Sequence, residues 1–462
     1  MTSAPTPASN QASASDTQKW LVLGAIGIGT FMSALDGSIM NTVLPVVQES
    51  FGSSIAVAEW VVVIYLLVVS GLLLTFGRLG DLRGSRPVYL SGFVIFVLAS
   101  AMCGLSPSIE ALVGFRGLQA IGAAMLFSSS PAILTRAFPA AQRGQALGLQ
   151  ATMTYLGLTV GPSLGGWLTE AFSWRAVFYI NVPVGLLAIA LGWRFVPRAH
   201  EPRAERFDFA GAALFMAGLV ALLLALNNGQ AWGWTSAPVI GLLSAALIGL
   251  TAFVIVEQRV AAPMLDLSLF ASTVFRAATL SAVLNYVALY IILFLLPFYL
   301  LQGRGLSPAQ AGLILTAQPI IMAIAAPLSG SLSDRIGTRI PALAGMLILT
   351  LGLVGLSQIT AETPLAWVAA GLAVCGLGTG VFISPNNSAL MGAAPRHRQG
   401  IASGILASAR NVGMVLGIGV GGAILTTFAA HDAALGIFSA APIGFLVAAG
   451  AALAAGVSAA LR

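Results

Sequence analysis

Charge is what this sequence has least of. Only 8% of its 462 residues are Asp, Glu, Lys or Arg and 58% are hydrophobic, whereas soluble domains carry about 25% charged residues. This composition excludes a water-soluble globule. Lys19 is the only lysine, so the chain has no phosphate-cradling loop ending in Gly-Lys-Ser or Gly-Lys-Thr. A pump that hydrolyses ATP through such a loop is therefore excluded as well.

The side chains that build catalytic and metal sites are also scarce. Cys103 and Cys375 each lie inside an apolar run, where a thiol behaves as a small hydrophobe. His200, His397 and His431 lie between such runs, and no pair of carboxylates falls within one. These absences argue against a membrane-embedded enzyme. We expect no metal, no cofactor and, because a basic balance also suits the ends of membrane spans, no nucleic-acid partner.

What the sequence has in abundance is long apolar runs. A helix needs about 20 apolar residues to cross the hydrocarbon core of a bilayer, and the chain divides at its charged and Pro-containing joints into fourteen such runs. Of the 21 Lys and Arg residues, seventeen fall in joints on one side, Arg175 and Arg304 on the other, and Arg116 and Arg410 within runs. Positive residues favour the cytoplasmic side. We therefore predict an all-α polytopic membrane protein, embedded in a lipid bilayer, with 14 transmembrane helices and both termini in the cytoplasm.

One joint pattern, G-x-L-x-D-x-x-G-x-R, occurs twice. Its defining residues are Gly77, Asp81, Gly84 and Arg86 in the first copy, and Gly330, Asp334, Arg335, Gly337 and Arg339 in the second. Each copy follows the second run of a group of six, which predicts a six-plus-two-plus-six plan. The predicted parts are a disordered cytoplasmic tail over 1–19, a six-helix bundle over 20–197, a linker with two extra transmembrane helices over 198–272, and a second six-helix bundle over 273–462.

The residues of this turn suggest a specific contact. The glycines allow a tight turn between helix ends, Asp81 can accept hydrogen bonds from the N-terminus of a neighbouring helix, and Arg83 or Arg86 can pair with it. The alternative is a solvated turn whose arginines are anchored at phosphate headgroups. Two copies in the same register favour the specific contact.

From about residue 20 to the C-terminus, the chain resembles the major facilitator superfamily, in its fourteen-span drug:proton antiporter branch. The stretches that carry this resemblance are residues 35–45, Trp60 and Tyr65, the turn at 77–86, residues 116–119 followed by Gly122, and the group Gly157, Gly161, Pro162, Gly165 and Gly166. The resemblance implies a secondary active transporter of a bacterial cytoplasmic membrane. It also implies that the repeated turn is a cytoplasmic gating motif, that residues 116–119 take part in proton transfer, and that the last group is an antiporter motif.

Asp36 is the one acidic residue well inside a run, where a carboxylate costs about 2.5–3.5 kcal/mol. Counted from the ends of their runs, Asp36 and Arg116 both lie in the outer half of the membrane. If the first and fourth spans line one cavity, as the resemblance implies, the two side chains could approach each other. We hypothesise that Asp36 alternates between holding a proton and interacting with Arg116 or the substrate. The alternative is a hydrogen-bonded Asp that only holds helices together.

Arg410 lies near the middle of its run with no acidic partner in its own half. It could meet Asp36 across a cavity, bind an anionic part of the substrate, or extend along its helix towards the interface. Five uncharged polar residues inside runs could contact a ligand or only bridge helices: Asn41, Asn285, Gln318, Asn386 and Asn387.

Glycines spaced every four residues predict close helix packing in two runs: Gly157, Gly161 and Gly165 in the fifth, and Gly413, Gly417 and Gly421 in the thirteenth. The function that this sequence predicts is export of lipophilic, cationic drugs in exchange for protons by a monomer. The alternative is proton-coupled transport of an anionic or amphipathic metabolite or lipid. A channel is disfavoured because it would not need the gating motif twice.

Overall fold

The computed structural model describes residues 16–53, 55–198, 207–260, 263, 265, 267–306, 308–429 and 433–462, and this part of the chain is all-α with no strand. Its helices are α1 Asp16–Phe51, α2 Ile55–Arg83, α3 Ser85–Gly104, α4 Ile109–Ala137, α5 Arg143–Ala171, α6 Ala176–Tyr179, α7 Asn181–Phe195, α8 Phe209–Trp232, α9 Ala237–Glu257, α10 Thr273–Phe298, α11 Pro308–Leu315, α12 Ala317–Ile336, α13 Arg339–Leu356, α14 Leu365–Ala393, α15 Gln399–Ala429 and α16 Ala433–Ala460. The prediction of an all-α polytopic protein is confirmed.

Thirteen helical segments of the described chain are long and apolar enough to cross a membrane. Two of them, Ala176–Phe195 and Gln310–Ile336, are formed by α6 with α7 and by α11 with α12. The predicted fifth span is the remaining one. It is a helix of 29 residues, α5, but its Gly, Thr and Gln residues make it less apolar than the others. Because α5 packs along α1 and α12, its glycine-rich face is covered by protein instead of lipid.

The helices pack in two groups that meet along two helix pairs. In the first group α1 packs on α5, α3 on α4 and α2 on α4; in the second, α10 packs on α15 and α16, and α14 on α12 and α13. The groups contact each other mainly through α2 with α15 and through α5 with α12. The domain boundaries at 197 and 272 stay predictions.

A matching helix crossing occurs in each group. A β-carbon on Gly122 of α4 would come within 2.6 Å of the Gly92 carbonyl oxygen of α3, and one on Gly345 of α13 within 2.7 Å of the Gly378 carbonyl oxygen of α14. Backbones can approach this closely only where side chains are absent. The equivalent crossings support an internal repeat that extends beyond the turn motif.

The two extra helices, α8 and α9, pack on each other, and α8 also contacts α2 and α15. The outer surface of α9 is apolar: Leu247 is 70% exposed and Ile248 69%. A continuous apolar face of this kind is unfavourable in water and suits lipid.

Both ends of the described chain lie on the face that carries the repeated turns. The Trp20 ring packs edge-on against Phe138, just after α4, with 5.4 Å between centroids. Arg462 donates a hydrogen bond to Asn386, two turns before the end of α14. Most of the predicted disordered tail lies outside the described residues, but its last four residues, 16–19, form the first turn of α1.

Candidate functional site

Asp81, at the end of α2, joins the two groups of helices at the end that carries the repeated turns. Its Oδ1 accepts from the backbone N–H of Gly400 at 2.8 Å and its Oδ2 from that of Ile401 at 2.8 Å. Arg136 of α4 donates to Oδ1 at 3.1 Å. A carboxylate is favoured at the N-terminus of a helix, here α15, because the unpaired N–H groups there carry partial positive charge. We call this contact the α2–α15 latch.

Asp334, at the end of α12, makes the corresponding contact with α5. Its Oδ1 accepts from the backbone N–H of Gly144 at 2.9 Å and its Oδ2 from that of Gln145 at 3.0 Å. We call this the α12–α5 latch. Since each latch connects helices of different groups, the groups are held together at the end that carries the repeated turns, which is the predicted cytoplasmic side.

The glycines of the motif permit these approaches. Gly84 and Gly337 have φ of 97° and 86°, a region that residues with a β-carbon rarely adopt. A β-carbon on Gly77 would lie 2.5 Å from the Gly400 carbonyl oxygen. One on Gly330 would collide in the same way with the backbone of Gly144 in α5.

The arginines of the motif do not take the predicted position. Arg83 is exposed, and Arg86 donates to the Trp193 carbonyl oxygen at 2.6 Å while its guanidinium stacks on that indole ring. Arg335 and Arg339 are exposed, with no hydrogen bond to another described residue. The prediction that Arg83 or Arg86 pairs with Asp81 is wrong. The turn points its arginines away from the carboxylate, and Arg136 of α4 supplies the positive charge instead.

Asp36 and Arg116 are brought together in the interior of the first group. Arg116 Nη1 donates to Asp36 Oδ2 at 2.6 Å, and the two side chains are 1% and 2% exposed. Gln119 and Asn181 donate to Asp36 Oδ1 at 3.0 and 2.8 Å. Both also donate to the Ser100 hydroxyl. The carboxylate is fully satisfied, which offsets the cost of burying its charge.

This network corrects the hypothesis for Asp36 in one respect. The partners of its carboxylate lie on α4 and α7 of the same group, and none that the structure describes belongs to the second group. Direct exchange of a proton for substrate on Asp36 is therefore not what this geometry supports. Ser100 and Asn181 were missed by sequence reasoning, although an Asn inside an apolar run was a usable signal.

Tyr65 of α2 connects the ion pair to the space between the groups. The Arg116 guanidinium lies over its ring, with Cζ 4.3 Å from the centroid. The Tyr65 hydroxyl is buried and has no hydrogen-bond partner among the described residues. Its electrostatic surroundings include the Asp36–Arg116 pair and Arg410 of α15.

The antiporter motif holds α1 against α5 beside this network. A β-carbon on Gly157 would lie 2.6 Å from the Phe31 carbonyl oxygen, and one on Gly161 would lie 2.6 Å from Ser38 Oγ. Ser38 in turn donates to the Leu158 carbonyl oxygen at 2.8 Å. Three residues complete the predicted motif: Gly165 packs on Ile39, a β-carbon on Gly166 would meet no described atom within 4 Å, and the Pro162 side chain lies outside the described residues.

Arg410 of α15 faces the boundary between the groups. Its guanidinium lies over the Phe127 ring of α4, with Cζ 4.8 Å from the centroid. Arg410 is partly exposed, and no carboxylate of the described residues forms an ion pair with it. Of its three possible roles, the pairing with Asp36 is not observed. Because Phe127 belongs to the first group and Arg410 to the second, this contact places the guanidinium at the boundary between the groups.

Three more tyrosines lie within electrostatic range of Arg410, namely Tyr155 of α5 and Tyr286 and Tyr290 of α10. The glycine row of α15 brings α10 this close. A β-carbon on Gly413 would lie 2.7 Å from Tyr286 Cβ, and one on Gly417 would lie 2.9 Å from Tyr290 Cβ.

The predicted polar residues separate into different classes. Asn386 bridges helices, because its Nδ2 donates to the Ala278 carbonyl oxygen of α10 at 3.1 Å. Asn285 and Gln318 are buried, and neither amide atom of either residue has a partner among the described residues. Asn387 is partly exposed, and the Asn41 side chain lies outside the described residues.

Known proteins resemble this chain over most of its length. The riboflavin transporter RibZ of Clostridioides difficile (strain 630) is 37% identical over 404 residues, which cover 87% of each chain. The multidrug resistance protein Stp of Mycobacterium tuberculosis (strain ATCC 25618 / H37Rv) is 38% identical over 409 residues, covering 88% of this chain and 76% of Stp. The crystal structure of the human organic anion transporter MFSD10 (TETRAN) has the same fold, with a TM-score of 0.70 at 18% identity over 96% of this chain and 99% of that one.

The family itself is shown by a match over nearly the whole chain. The family model of the Major Facilitator Superfamily matches residues 26–275 and 278–462. These segments contain both latches, the Asp36 network and Arg410. Together with the helices that can cross a membrane, the match shows that the chain is a multi-pass membrane transporter and belongs to the Major Facilitator Superfamily.

Proposed function

We propose that this transporter is a monomeric, proton-coupled exporter of lipophilic small molecules, of the fourteen-span drug:proton antiporter branch, working by alternating access in a bacterial cytoplasmic membrane. The observation that carries the proposal is the buried Asp36–Arg116 ion pair, which Tyr65 connects to the boundary between the groups. Similarity to Stp, a multidrug resistance protein, supports export of drugs.

Proton coupling follows from the charge of the ion pair. With Asp36 ionised, the pair is neutral and Arg116 is held by the carboxylate. When Asp36 takes a proton, Arg116 keeps its charge without a counter-ion in a medium of low dielectric constant, which is costly. Arg116 and the Tyr65 ring on which it stacks are then driven to rearrange. Because Tyr65 lies on α2, the helix of one latch, protonation can bias the contact between the groups.

The sign of the coupling depends on the charge of the substrate. Protonation of Asp36 raises the positive potential around Tyr65 and Arg410, and this disfavours a bound cation and favours a bound anion. For a lipophilic cation, the class that the family resemblance implies, proton uptake would promote substrate release. That is the behaviour of an antiporter. An anion would instead bind more tightly together with the proton.

The test is dye export from proteoliposomes that carry a pH gradient, with and without an uncoupler. Ethidium serves as the cationic dye and fluorescein as the anionic one. We expect the Asp36→Asn variant to lose transport driven by the gradient, because the residue can no longer change its charge. Glu362→Gln, an exposed acid between spans, is the matched control and should transport normally. Uphill export by Asp36→Asn at the wild-type rate would refute the role of Asp36.

A second candidate is proton-coupled transport of an anionic or amphipathic metabolite. The specific observation in its favour is the partly exposed Arg410 between the groups, which forms no ion pair with a described carboxylate. The similarity to RibZ, a riboflavin transporter, also fits a planar metabolite in place of a drug.

A further inference from the structure

The geometry points to Arg410, Phe127 and the tyrosines around them as a binding site for aromatic organic anions, in which the guanidinium pairs with a carboxylate and the rings hold the aromatic part. This inference rests on the proposed function as a transporter of lipophilic compounds. It favours the second candidate, an anionic substrate, which by the charge argument above would bind together with the proton.

Arg410 carries a positive charge that no described carboxylate compensates. Within the described residues the guanidinium has no carboxylate partner, and its neighbours are neutral rings. An unpaired charge within a membrane span is expensive, and such residues mark substrate or ion pathways. Arg116, the other arginine inside a span, is neutralised by Asp36. Arg410 is therefore the charge that a bound anion would compensate.

Arg410 and the rings near it have accessible surface. Arg410, Phe127, Tyr286 and Tyr290 are all partly exposed, although each lies well inside its helix. They come from α4, α10 and α15, so they belong to both groups. Arg116 is only 1% exposed. Arg410 is thus the arginine whose side chain offers surface to a ligand.

The aromatic rings near Arg410 are suited to holding an aromatic anion. A guanidinium stacked on an aromatic face, as Arg410 is on Phe127 at 4.8 Å, keeps its edge N–H groups free for a bidentate carboxylate. Phenol hydroxyls can donate further hydrogen bonds to the anion. Tyr286 and Tyr290 lie one turn apart on α10, and neither makes a hydrogen bond through its hydroxyl to another described residue. Their rings offer apolar faces to a planar ligand.

A cation fits this site poorly. The described residues around Arg410 include no acid, and the carboxylate of Asp36 is enclosed by its own network at 2% exposure. A lipophilic cation would meet the like charge of Arg410 without a counter-ion. The cationic class is implied by the family resemblance, and the buried carboxylate of Asp36 offers such a cation no exposed counter-ion.

The experiment compares two dyes that share one xanthene ring system but carry opposite charge. Binding of fluorescein and of rhodamine 123 to the full chain in lipid nanodiscs is measured by fluorescence anisotropy at one pH, with empty nanodiscs subtracted. We expect wild type to bind fluorescein more tightly than rhodamine 123. Arg410→Gln should weaken fluorescein binding roughly 10- to 100-fold, the loss of a charge-assisted bidentate contact, and leave rhodamine 123 binding unchanged or tighter. Arg410→Lys should retain part of the fluorescein affinity.

The matched control is Arg276→Gln, which removes an exposed arginine at the cytoplasmic end of α10. It should bind both dyes as wild type does. Unchanged fluorescein affinity in folded Arg410→Gln would overturn the inference. A wild-type preference for rhodamine 123 would also overturn it, and this preference is measurable even if the variant fails to fold.

The outcomes also separate this inference from the proposed function. Binding is measured without a proton gradient, so a failure of proton coupling leaves the result intact. Conversely, uncoupler-sensitive dye export combined with absent fluorescein binding would contradict the site alone.

Discussion

At the scale of single residues, the central feature is an ion pair that is almost fully buried. Asp36 accepts three hydrogen bonds, from Arg116, Gln119 and Asn181. A pair of this kind adds little net stability, because desolvation of two charges offsets their attraction. Removal of one partner is strongly destabilising, because it leaves the other charge buried and unpaired.

A double-mutant comparison tests this asymmetry. Asp36→Asn should destabilise the protein by about 3–5 kcal/mol, the usual range for breaking a buried pair. Arg116→Met together with Asp36→Asn should be more stable than Asp36→Asn alone, because no uncompensated charge is left. Thermal unfolding in detergent, followed by tryptophan fluorescence, gives the order of the variants. Additive losses in the double variant would show that the pair does not behave as a unit.

Two kinds of polar residue in spans also differ at this scale. Asn386 connects α14 to α10 through the Ala278 carbonyl oxygen, so it is a bridge between helices. Asn285 and Gln318 are buried with no partner among the described residues for their amide atoms. An unpaired amide in an apolar interior costs about 1–3 kcal/mol. Asn285 and Gln318 are therefore two buried positions in the second group where no described residue offsets this cost.

At the scale of helices, glycine rows determine which surfaces meet. On α15, Gly413 and Gly417 let α10 approach until the β-carbons of Tyr286 and Tyr290 lie against the α15 backbone. This approach places Tyr286 against Gly413, one turn after Arg410, and Tyr290 one turn further along α15, against Gly417. On α5, glycines of the antiporter motif do the same for α1 next to Asp36. The glycine rows thus act through helix packing, and this packing sets the geometry of both candidate sites.

Gly413→Ala tests this role. The added β-carbon would lie 2.5 Å from the Val283 carbonyl oxygen and 2.7 Å from Tyr286 Cβ, so α10 must move away. We expect a loss of stability of about 1–3 kcal/mol from overpacking, measured by thermal unfolding, and weaker fluorescein binding. Gly419→Ala is the control on the same helix, because the nearest atom to its β-carbon would be Leu226 Cδ2 at 3.8 Å. Equal effects of the two substitutions would contradict the packing argument.

At the scale of the whole molecule, the two latches hold the groups together at the cytoplasmic end. They are not equivalent. Asp81 is 4% exposed and has Arg136 as an additional partner, whereas Asp334 is partly exposed and, among the described residues, accepts only from the α5 backbone. Separation of the groups at this end must break both latches, and we expect the α2–α15 latch, with its additional Arg136 contact, to contribute more to the closed state.

Cysteine labelling measures this difference. Ser70 of α2 is 1% exposed and accepts a hydrogen bond from Asn411 of α15 at 2.9 Å, so a Cys at position 70 should be unreactive to a maleimide while the latch is closed. With Cys103 and Cys375 replaced by Ala, we expect Asp81→Asn to increase labelling of this Cys several-fold. Asp334→Asn should increase it less. Faster labelling in Asp334→Asn than in Asp81→Asn would reverse the proposed order of the latches.

Much of the architecture could be predicted from the order of residues along the chain. Run length and the distribution of arginines are local properties that lipid imposes on any span, so the helical spans and the repeated turn followed from them directly. The pairing of Asp36 with Arg116 was also within reach, because each lies at a similar depth on a span that the family places around one cavity. The fifth run forms a helix of 29 residues, but it is not among the thirteen candidate spans, so fourteen crossings stay a prediction.

What could not be predicted is the direction in which side chains point. Whether Asp36 faces the central space or its own group depends on the rotation of α1 about its axis, and that rotation is set by Gly157 and Gly161 packing against it from α5. The partner of Asp81 likewise comes from α4, 55 residues away. Such contacts depend on how distant helices cross, and only the packed molecule decides them, because every helix must bury its small and polar faces against its neighbours at once.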